Sequence, residues 1–162
     1  MRFILIDRLI ELEPGKRVVA SKTFAPEEDF LIDHFPGFPV VPGVLLMETM
    51  VQAGGWLILC SVNFSKWPFL CMIERAKFRR FVKPGEDLRI EARIQSLRET
   101  DFVIQSEVRV AESRVAEARI FYHVQTHSVE PQGIADVGKF ETWARQTFQQ
   151  LGGKILLQGF QL

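Results

Sequence analysis

Two side chains that can move protons, His34 and Glu48, lie close together in a stretch rich in proline and glycine. An imidazole has its unperturbed pKa near neutral pH, so it can serve as a general base there. A carboxyl can serve as a general acid at the same pH only if burial raises its pKa. The pair predicts acid–base chemistry, provided that the fold brings the two groups to one site and keeps the carboxyl dry.

The elements around this pair can be predicted from the same stretch. Three prolines and one glycine lie between His34 and Pro42, which excludes a helix there because each proline fixes its own φ and pushes the preceding residue toward extended geometry. From Pro42 to about Cys60, apolar residues point in almost every direction around a helix, which is typical of a buried helix. A stiff loop carrying His34 therefore leads into a helix N-terminus.

The predicted helix has one narrow polar stripe. At about 100° per residue, Glu48 and Gln52 lie about 40° apart, and Gly55 falls on the same arc, where it leaves room. Gln52 could orient the Glu48 carboxyl or could simply bond to backbone. The free N–H groups of Gly43 and Val44, at the positive end of the helix dipole, could hold negative charge on a substrate oxygen.

Composition sets limits on class and location. The chain has 162 residues, 47% of them hydrophobic, which suits a globular protein with a sizeable core. Twenty basic and twenty acidic residues cancel, so nothing indicates a nucleic-acid partner. The apolar run 38–60 contains Glu48 and Gln52 and is broken by prolines, which favours a core helix over a membrane span. The start is too short and too soon charged for a signal peptide, so we expect a cytoplasmic protein.

The few possible metal ligands do not form a site. Cys60 and Cys71 match no metal spacing and are expected to be buried thiols without a bridge. His123 and His127 are four residues apart near a strand end, and we expect them to be solvated. No metal site is predicted.

The rest of the chain reads as strands. Alternating or β-rich segments separated by Pro-Gly turns at 13–16 and 83–86 predict about six antiparallel strands, at 2–12, 17–24, 69–82, 87–98, 102–110 and 114–126. One long buried helix and one antiparallel sheet give an α+β fold in which a curved sheet wraps around the helix.

The C-terminal part has a different character. Apolar residues near helical spacing predict an amphipathic helix over 137–151, with Asp136 as a possible cap, followed by an apolar tail over 155–162. The predicted organisation is a domain at 1–127 and an extension at 128–162 that packs on the domain or on a partner.

Three segments carry a family resemblance. The stretch HFPGFPVVPGVLLMETMVQ from His34 to Gln52 closely resembles the signature of the bacterial 3-hydroxyacyl-acyl-carrier-protein dehydratases, a family with the hotdog fold. The segments IDR with ELEPGKR, and AKFRRFVKPGE, add to the match, which covers roughly residues 4–126. The resemblance implies dehydration of 3-hydroxyacyl thioesters to trans-2-enoyl thioesters in fatty-acid or related acyl-chain synthesis. It implies no cofactor, because the substrate arrives on the phosphopantetheine of acyl carrier protein.

The resemblance also implies an assembly. Members form dimers or trimers of dimers, with His34 of one protomer facing Glu48 of the other at the dimer interface. For this reaction the chemistry of the two groups assigns His34 as the base that takes a proton from the carbon next to the carbonyl, and Glu48 as the acid that protonates the departing hydroxyl. The sequence leaves open how the two groups share these steps and whether Glu48 acts directly or through a water. Glutamate at position 48, where a sister group that also isomerises the double bond has aspartate, resembles the dehydratase-only group.

Some features depart from the family or stay open. Phe38 stands where many members have a polar residue; like Trp56, it is expected in the core or in the wall of a substrate tunnel. The segment that usually precedes the first strand is nearly absent, and the C-terminal extension has no counterpart in the family pattern. A hotdog thioesterase, or a non-catalytic subunit that binds the acyl carrier or serves assembly, remains an alternative.

Four basic residues form a possible docking patch. Strand alternation puts Arg75, Lys77 and Arg79 on one face, with Arg80 beside them. They are either a solvated strand face or a landing surface for an acidic carrier protein.

Overall fold

The computed structural model describes residues 3–126 and 137–153. Within these ranges there are six strands: β1 Arg8–Glu13, β2 Arg17–Thr23, β3 Lys66–Phe78, β4 Asp87–Arg98, β5 Asp101–Val110 and β6 Ser113–Thr126. There are three helices: α1 Phe30–Asp33, α2 Gly43–Ser61 and α3 Val137–Gln150. The strands form one antiparallel sheet in the order β1-β2-β4-β5-β6-β3.

The sheet wraps around α2, which is the hotdog arrangement that the sequence predicts. Leu46, Met50 and Leu57 on the helix are almost completely buried, and so are the inward-facing residues of the strands, such as Ile90 and Ile104. The alternation predicted for β4 is confirmed, because Leu88, Ile90 and Ala92 are buried while Arg89 and Arg93 are exposed. By length and composition α2 could cross a membrane, but it is the core helix, and 56% of its apolar 18-residue window is buried inside the protein.

One glycine allows the sheet to approach α2 closely. The Tyr122 hydroxyl, on β6, donates a 2.6 Å hydrogen bond to the backbone oxygen of Val51 in the middle of the helix. A Cβ added at Gly54 would stand 2.6 Å from the same hydroxyl, whereas one added at Gly55 would meet nothing within 4 Å. The contact between β6 and the helix backbone therefore depends on the absence of a side chain at Gly54.

The turns are confirmed, and some strand ends differ from prediction. Gly15 and Gly85 stand at positive φ in the two Pro-Gly turns. The first strand begins at Arg8 rather than at residue 2, since Gln52 rather than a neighbouring strand holds the Leu5 N–H. The strand predicted at 69–82 is β3, which begins at Lys66 and ends at Phe78.

The predicted C-terminal helix is confirmed as α3, and it packs on the domain. The Phe148 ring lies 6.3 Å from the Trp56 ring and 5.4 Å from the Phe64 ring. The Phe140 ring lies 4.1 Å from the Trp67 ring at the start of β3. The predicted cap Asp136 and the predicted tail 155–162 lie outside the described residues, and the division at residue 127 stays a prediction.

The cysteines are both free, but only one matches the prediction. Cys60 is buried in α2, where burial raises the pKa of its thiol to about 12. The prediction of burial is wrong for Cys71, which is exposed because β3 is an edge strand with a register shift between Leu70 and Met72.

The contact between Gly54 and Tyr122 can be tested by measuring stability, with a substitution at the neighbouring Gly55 as the control. Both Gly54→Ala and Gly55→Ala gain about 1 kcal/mol of intrinsic helix propensity. Only Gly54→Ala forces a methyl group against Tyr122, so we expect it to be less stable than Gly55→Ala by about 1–3 kcal/mol. Urea denaturation measures both free energies of unfolding, and equal values would contradict the close packing.

Candidate active site

The loop that carries His34 is held by its own backbone. Phe35 and Phe38 exchange two hydrogen bonds of 3.1 and 2.9 Å around a turn that has Pro36 in its second position and Gly37, at φ 77°, in its third. This is the order that a type II turn requires. Val40 N donates to the His34 oxygen over 2.9 Å and closes the loop. The prediction of a stiff, irregular segment is confirmed.

The His34 side chain is half-buried at the base of this loop. Its ring stacks on the Phe35 ring, with 4.3 Å between the centroids. Within the described residues, no hydrogen bond or ion pair engages the imidazole, so its nitrogens are available to another molecule. No direct bond joins His34 to Glu48 within one chain.

The N-terminus of α2 has free donors. Leu45 N and Leu46 N both donate to the Pro42 oxygen, over 2.9 and 3.3 Å. The N–H groups of Gly43 and Val44 have no acceptor in the part of the chain that the structure describes, and Pro42 supplies no side-chain cap. With the helix dipole behind them, these two donors can bind an oxygen that carries negative charge.

The Glu48 carboxyl is half-buried and held by Gln52. Gln52 Nε2 donates to Glu48 Oε1 over 2.9 Å and to the Phe3 oxygen over 3.2 Å. Gln52 Oε1 accepts from Leu5 N over 2.7 Å. Because a backbone N–H needs an acceptor, the Leu5 contact fixes which end of the amide faces Glu48. Gln52 therefore bonds both to the Glu48 carboxyl and to backbone.

A buried phenol lies behind the carboxyl. Tyr122 is almost completely buried, and burial raises the pKa of its hydroxyl well above the ordinary value, with a further contribution from the Glu48 charge. The phenol therefore stays protonated and keeps its bond to Val51 O. The sequence reasoning missed Tyr122; the available signal was the chain's single tyrosine on an inward-facing position of an alternating strand.

The two aromatic residues predicted for a tunnel wall lie in different places. Phe38 is half exposed in the loop before α2, where its ring meets the Phe81 ring edge to face at 6.1 Å. Trp56 is buried in the second half of α2, where its ring lies 6.2 Å from the Trp143 ring of α3.

The basic patch is less uniform than strand alternation predicts. Arg75 has a positive φ of 53° in an irregular part of β3, where the register shifts between Glu74 and Lys77, so the predicted single face is wrong. Arg79 and Lys77 lie 2.6 and 4.0 Å from Glu117. Arg80 makes two 3.0 Å bonds to Glu86. Among the described residues, Arg75 alone of the four has no ion pair.

The described residues contain no group of three or more potential metal ligands. His123 Nδ1 instead lies 2.7 Å from Asp101 Oδ1 in an exposed pair, and His127 is outside the described residues.

Solved structures share the hotdog fold at low sequence identity. Protein smu.793 of Streptococcus mutans, bound to acetyl CoA, superposes with a TM-score of 0.62 at 19% identity, over 78% of this chain and 93% of that one. The dehydratase heterocomplex ApeI:P of Xenorhabdus doucetiae also gives a TM-score of 0.62, at 14% identity, over 82% of this chain and 90% of that one.

Sequence comparison identifies the family. Residues 1–119 match the FabA-like domain. The 3-hydroxyacyl-acyl-carrier-protein dehydratase FabZ of Pelotomaculum thermopropionicum is 40% identical over 124 residues, which cover 76% of this chain and 89% of that protein. FabZ of Symbiobacterium thermophilum is 41% identical over 131 residues, covering 80% and 92%. The chain therefore belongs to the FabA-like family.

The Gln52 network can be tested without an activity assay. Gln52→Leu removes the acceptor for Leu5 N–H, so we expect exchange of that amide to speed up about tenfold, the equivalent of one lost hydrogen bond. Gln52→Glu keeps an acceptor for Leu5 but loses the donor to Glu48, so this amide should stay protected. NMR hydrogen exchange measures both variants, and equal protection in the two would contradict the assigned amide orientation.

Proposed function

We propose that the protein dehydrates 3-hydroxyacyl thioesters, carried on acyl carrier protein, to trans-2-enoyl thioesters in fatty-acid or related acyl-chain synthesis. It is a hydro-lyase. The observation that carries the proposal is the Glu48 carboxyl held by Gln52, one helical turn from two free N–H donors, in a chain of the FabA-like family. The 3-hydroxyacyl-acyl-carrier-protein dehydratases named among its relatives support the same reaction.

The reaction begins at the carbon next to the thioester carbonyl. A neutral His34 imidazole removes a proton from this carbon, and the electron pair moves toward the carbonyl oxygen. The Gly43 and Val44 N–H groups receive the charge that builds there. A Cβ at Gly43 would stand 3.3 Å from the Phe78 ring, so glycine at this position lets β3 lie close to the helix N-terminus.

The second half of the reaction expels the hydroxyl. The electron pair forms the double bond, the carbon–oxygen bond breaks, and Glu48 gives its proton to the leaving hydroxyl, which departs as water. Since Glu48 Oε1 accepts from Gln52, the proton is best carried on Oε2. Proton transfer from His34 back to Glu48, through water, resets the site. The chemistry needs no cofactor other than the phosphopantetheine that delivers the substrate.

A second copy of the chain completes the site in this proposal. His34 and Glu48 are both half-buried and are not joined to each other in one chain. Strand β3 is an edge of the sheet and pairs only with β6 among the described residues. Large apolar side chains around the His34 loop are half exposed or more: Ile32, Phe35, Phe38, Val44 and Phe81. These features support a homodimer, or a trimer of dimers, that buries the carboxyl.

Substitution of the two proton carriers tests the reaction. We expect His34→Ala and Glu48→Gln each to lower enoyl formation by about 10²–10⁴-fold, the usual contribution of one acid–base group. His123→Ala, which changes an exposed histidine, should keep full activity. Enoyl absorbance and free thiol are followed together, because thiol release without enoyl would indicate a thioesterase. Unchanged enoyl formation in both variants would overturn the assignment.

Mixing the two inactive variants tests the shared site. Co-expressed His34→Ala and Glu48→Gln chains form some mixed dimers in which one site has both groups intact. Partial recovery of activity is expected, whereas a site built within one chain would give none.

The carrier protein is expected to dock on positive charge near the site. Arg75 is exposed without an ion pair, on the same end of β3 as Phe78, whose ring lies against Gly43. Arg79 and Arg80 already have carboxylate partners, so Arg75 has the charge most available to an acidic partner. We expect this exchange in the cytoplasm, in keeping with α2 as a core helix and not a membrane span.

Reversal of this charge should separate two kinds of substrate. Arg75→Glu is expected to raise KM for carrier-linked substrate about three- to tenfold at low salt and to leave a small soluble thioester unaffected. Arg98→Glu is the control, because strand pairing puts Arg98 at the opposite end of the sheet, beside Asp101. Equal losses on both substrates would rule out docking at Arg75.

A further inference from the structure

An apolar space lies along α2 beyond Gln52. It has a volume of about 190 Å³, room for about six water-sized groups. Its floor is the second half of the helix, formed by Gln52, Gly55, Trp56 and Leu59. Gly55 leaves an opening in this floor, because a Cβ at this position would meet nothing within 4 Å. The absence of a side chain at this position keeps the space open.

The walls of this space come from the two ends of the described chain. Phe3 and Ile4 of the N-terminal segment form one wall, and Trp143 of α3 forms the other. Phe3 and Trp143 are 62% and 46% exposed, so both rings stand at its mouth. The described lining includes no charged side chain. Its one polar side chain, Gln52, already bonds to Leu5, Phe3 and Glu48. The space therefore suits an alkyl chain and offers little to a phosphate, a sugar or an ion.

The space lies on the same face of α2 as Glu48. Glu48, Gln52 and Gly55 follow each other at spacings of four and three residues, which stack on the same side of a helix, and Leu59 continues the row. At about 1.5 Å per residue, the row from Glu48 to Leu59 spans about 16 Å. An extended acyl chain that runs along this row from a thioester at the N-terminus of α2 would reach the space.

We propose that this space receives the distal end of the acyl chain, and that Trp143 closes it. The C-terminal helix then sets the longest chain that the protein accepts. This inference depends on the proposed function, since it concerns the same substrate. It explains why α3 presents an aromatic ring beside Gly55 rather than the polar residue expected on an exposed helix face.

The first test fills the space from its floor. Gly55→Leu puts a side chain into it, and Gly55→Ala is the matched control with the same gain in helix propensity and little added volume. We expect Gly55→Leu to lower kcat/KM for long 3-hydroxyacyl substrates about tenfold or more, because each excluded methylene forfeits roughly a fourfold factor. The shortest substrates should be turned over as before. If Gly55→Leu has a lower melting temperature than the unmodified protein, Gly55→Val replaces it as a smaller substitution that still fills part of the space.

The second test opens the space from its wall. Trp143→Ala should shift the preference toward longer chains, whereas Gln150→Ala, an exposed substitution on the same helix, should not. The proposal is supported if Gly55→Leu shifts the preference toward shorter acyl chains and Trp143→Ala shifts it toward longer ones. A general loss of stability would instead lower the activity on all chain lengths together. Unchanged length profiles in Gly55→Leu and Trp143→Ala, with melting temperatures intact, would overturn it.

A binding measurement separates this inference from the proposed function. A medium-chain alkyl amide of pantetheine, which cannot be dehydrated, is titrated while tryptophan fluorescence is recorded. Weaker binding to Gly55→Leu than to Gly55→Ala supports the acyl pocket even if no variant forms enoyl product. Equal binding to the two variants overturns it, even if the parent protein dehydrates short substrates normally.

Discussion

The amide of Gln52 is the point on which the rest of the site depends. It lies on a helix that is otherwise almost entirely apolar, where an unmet hydrogen-bonding group is costly. Three bonds meet this requirement: one to Glu48, and two to the backbone of Phe3 and Leu5. The same bonds that satisfy the amide fix a carboxyl oxygen on one side and the N-terminal segment on the other. The position of Glu48 is thus a consequence of how the core helix meets the start of the chain.

The helix can hold this arrangement because the sheet touches its backbone directly. Tyr122 reaches Val51 O across the gap that Gly54 leaves, and burial keeps the phenol protonated beside a carboxyl. A sliding or rotating helix would break this bond and would bring a Cβ-bearing position against the hydroxyl. The contact therefore fixes both the rotation and the depth of α2, which sets the direction of Glu48 and of the free N–H groups at Gly43.

Local sequence patterns predicted the fold well. They could not predict individual contacts between residues that are far apart in the sequence. The period of two in β4, the prolines after His34 and the apolar circumference of α2 each have a local cause, and each was confirmed. Whether Gln52 bonds to Glu48 or to backbone depended on residues nearly fifty positions away, so helical spacing alone left it open. Arg75 escaped prediction because the strand alternation assumes no register shift, and Cys71 because burial on an edge strand depends on what covers the edge.

The two ends of α2 differ in what covers them. At its C-terminal end, α3 lays Phe148 on Trp56 and Phe64, and Arg145 donates to the Asn63 oxygen just past the helix, so the chain itself seals this end. At its N-terminal end, Val44 and the His34 loop leave apolar rings and free donors facing outward. Because α3 covers the C-terminal end, an alkyl chain can bind there without a partner protein. The N-terminal end has free donors and exposed rings, so a second surface is needed there to exclude water. The extra helix α3 therefore closes the far end of α2, and the open end with the free donors is the one that we propose a second copy of the chain to cover.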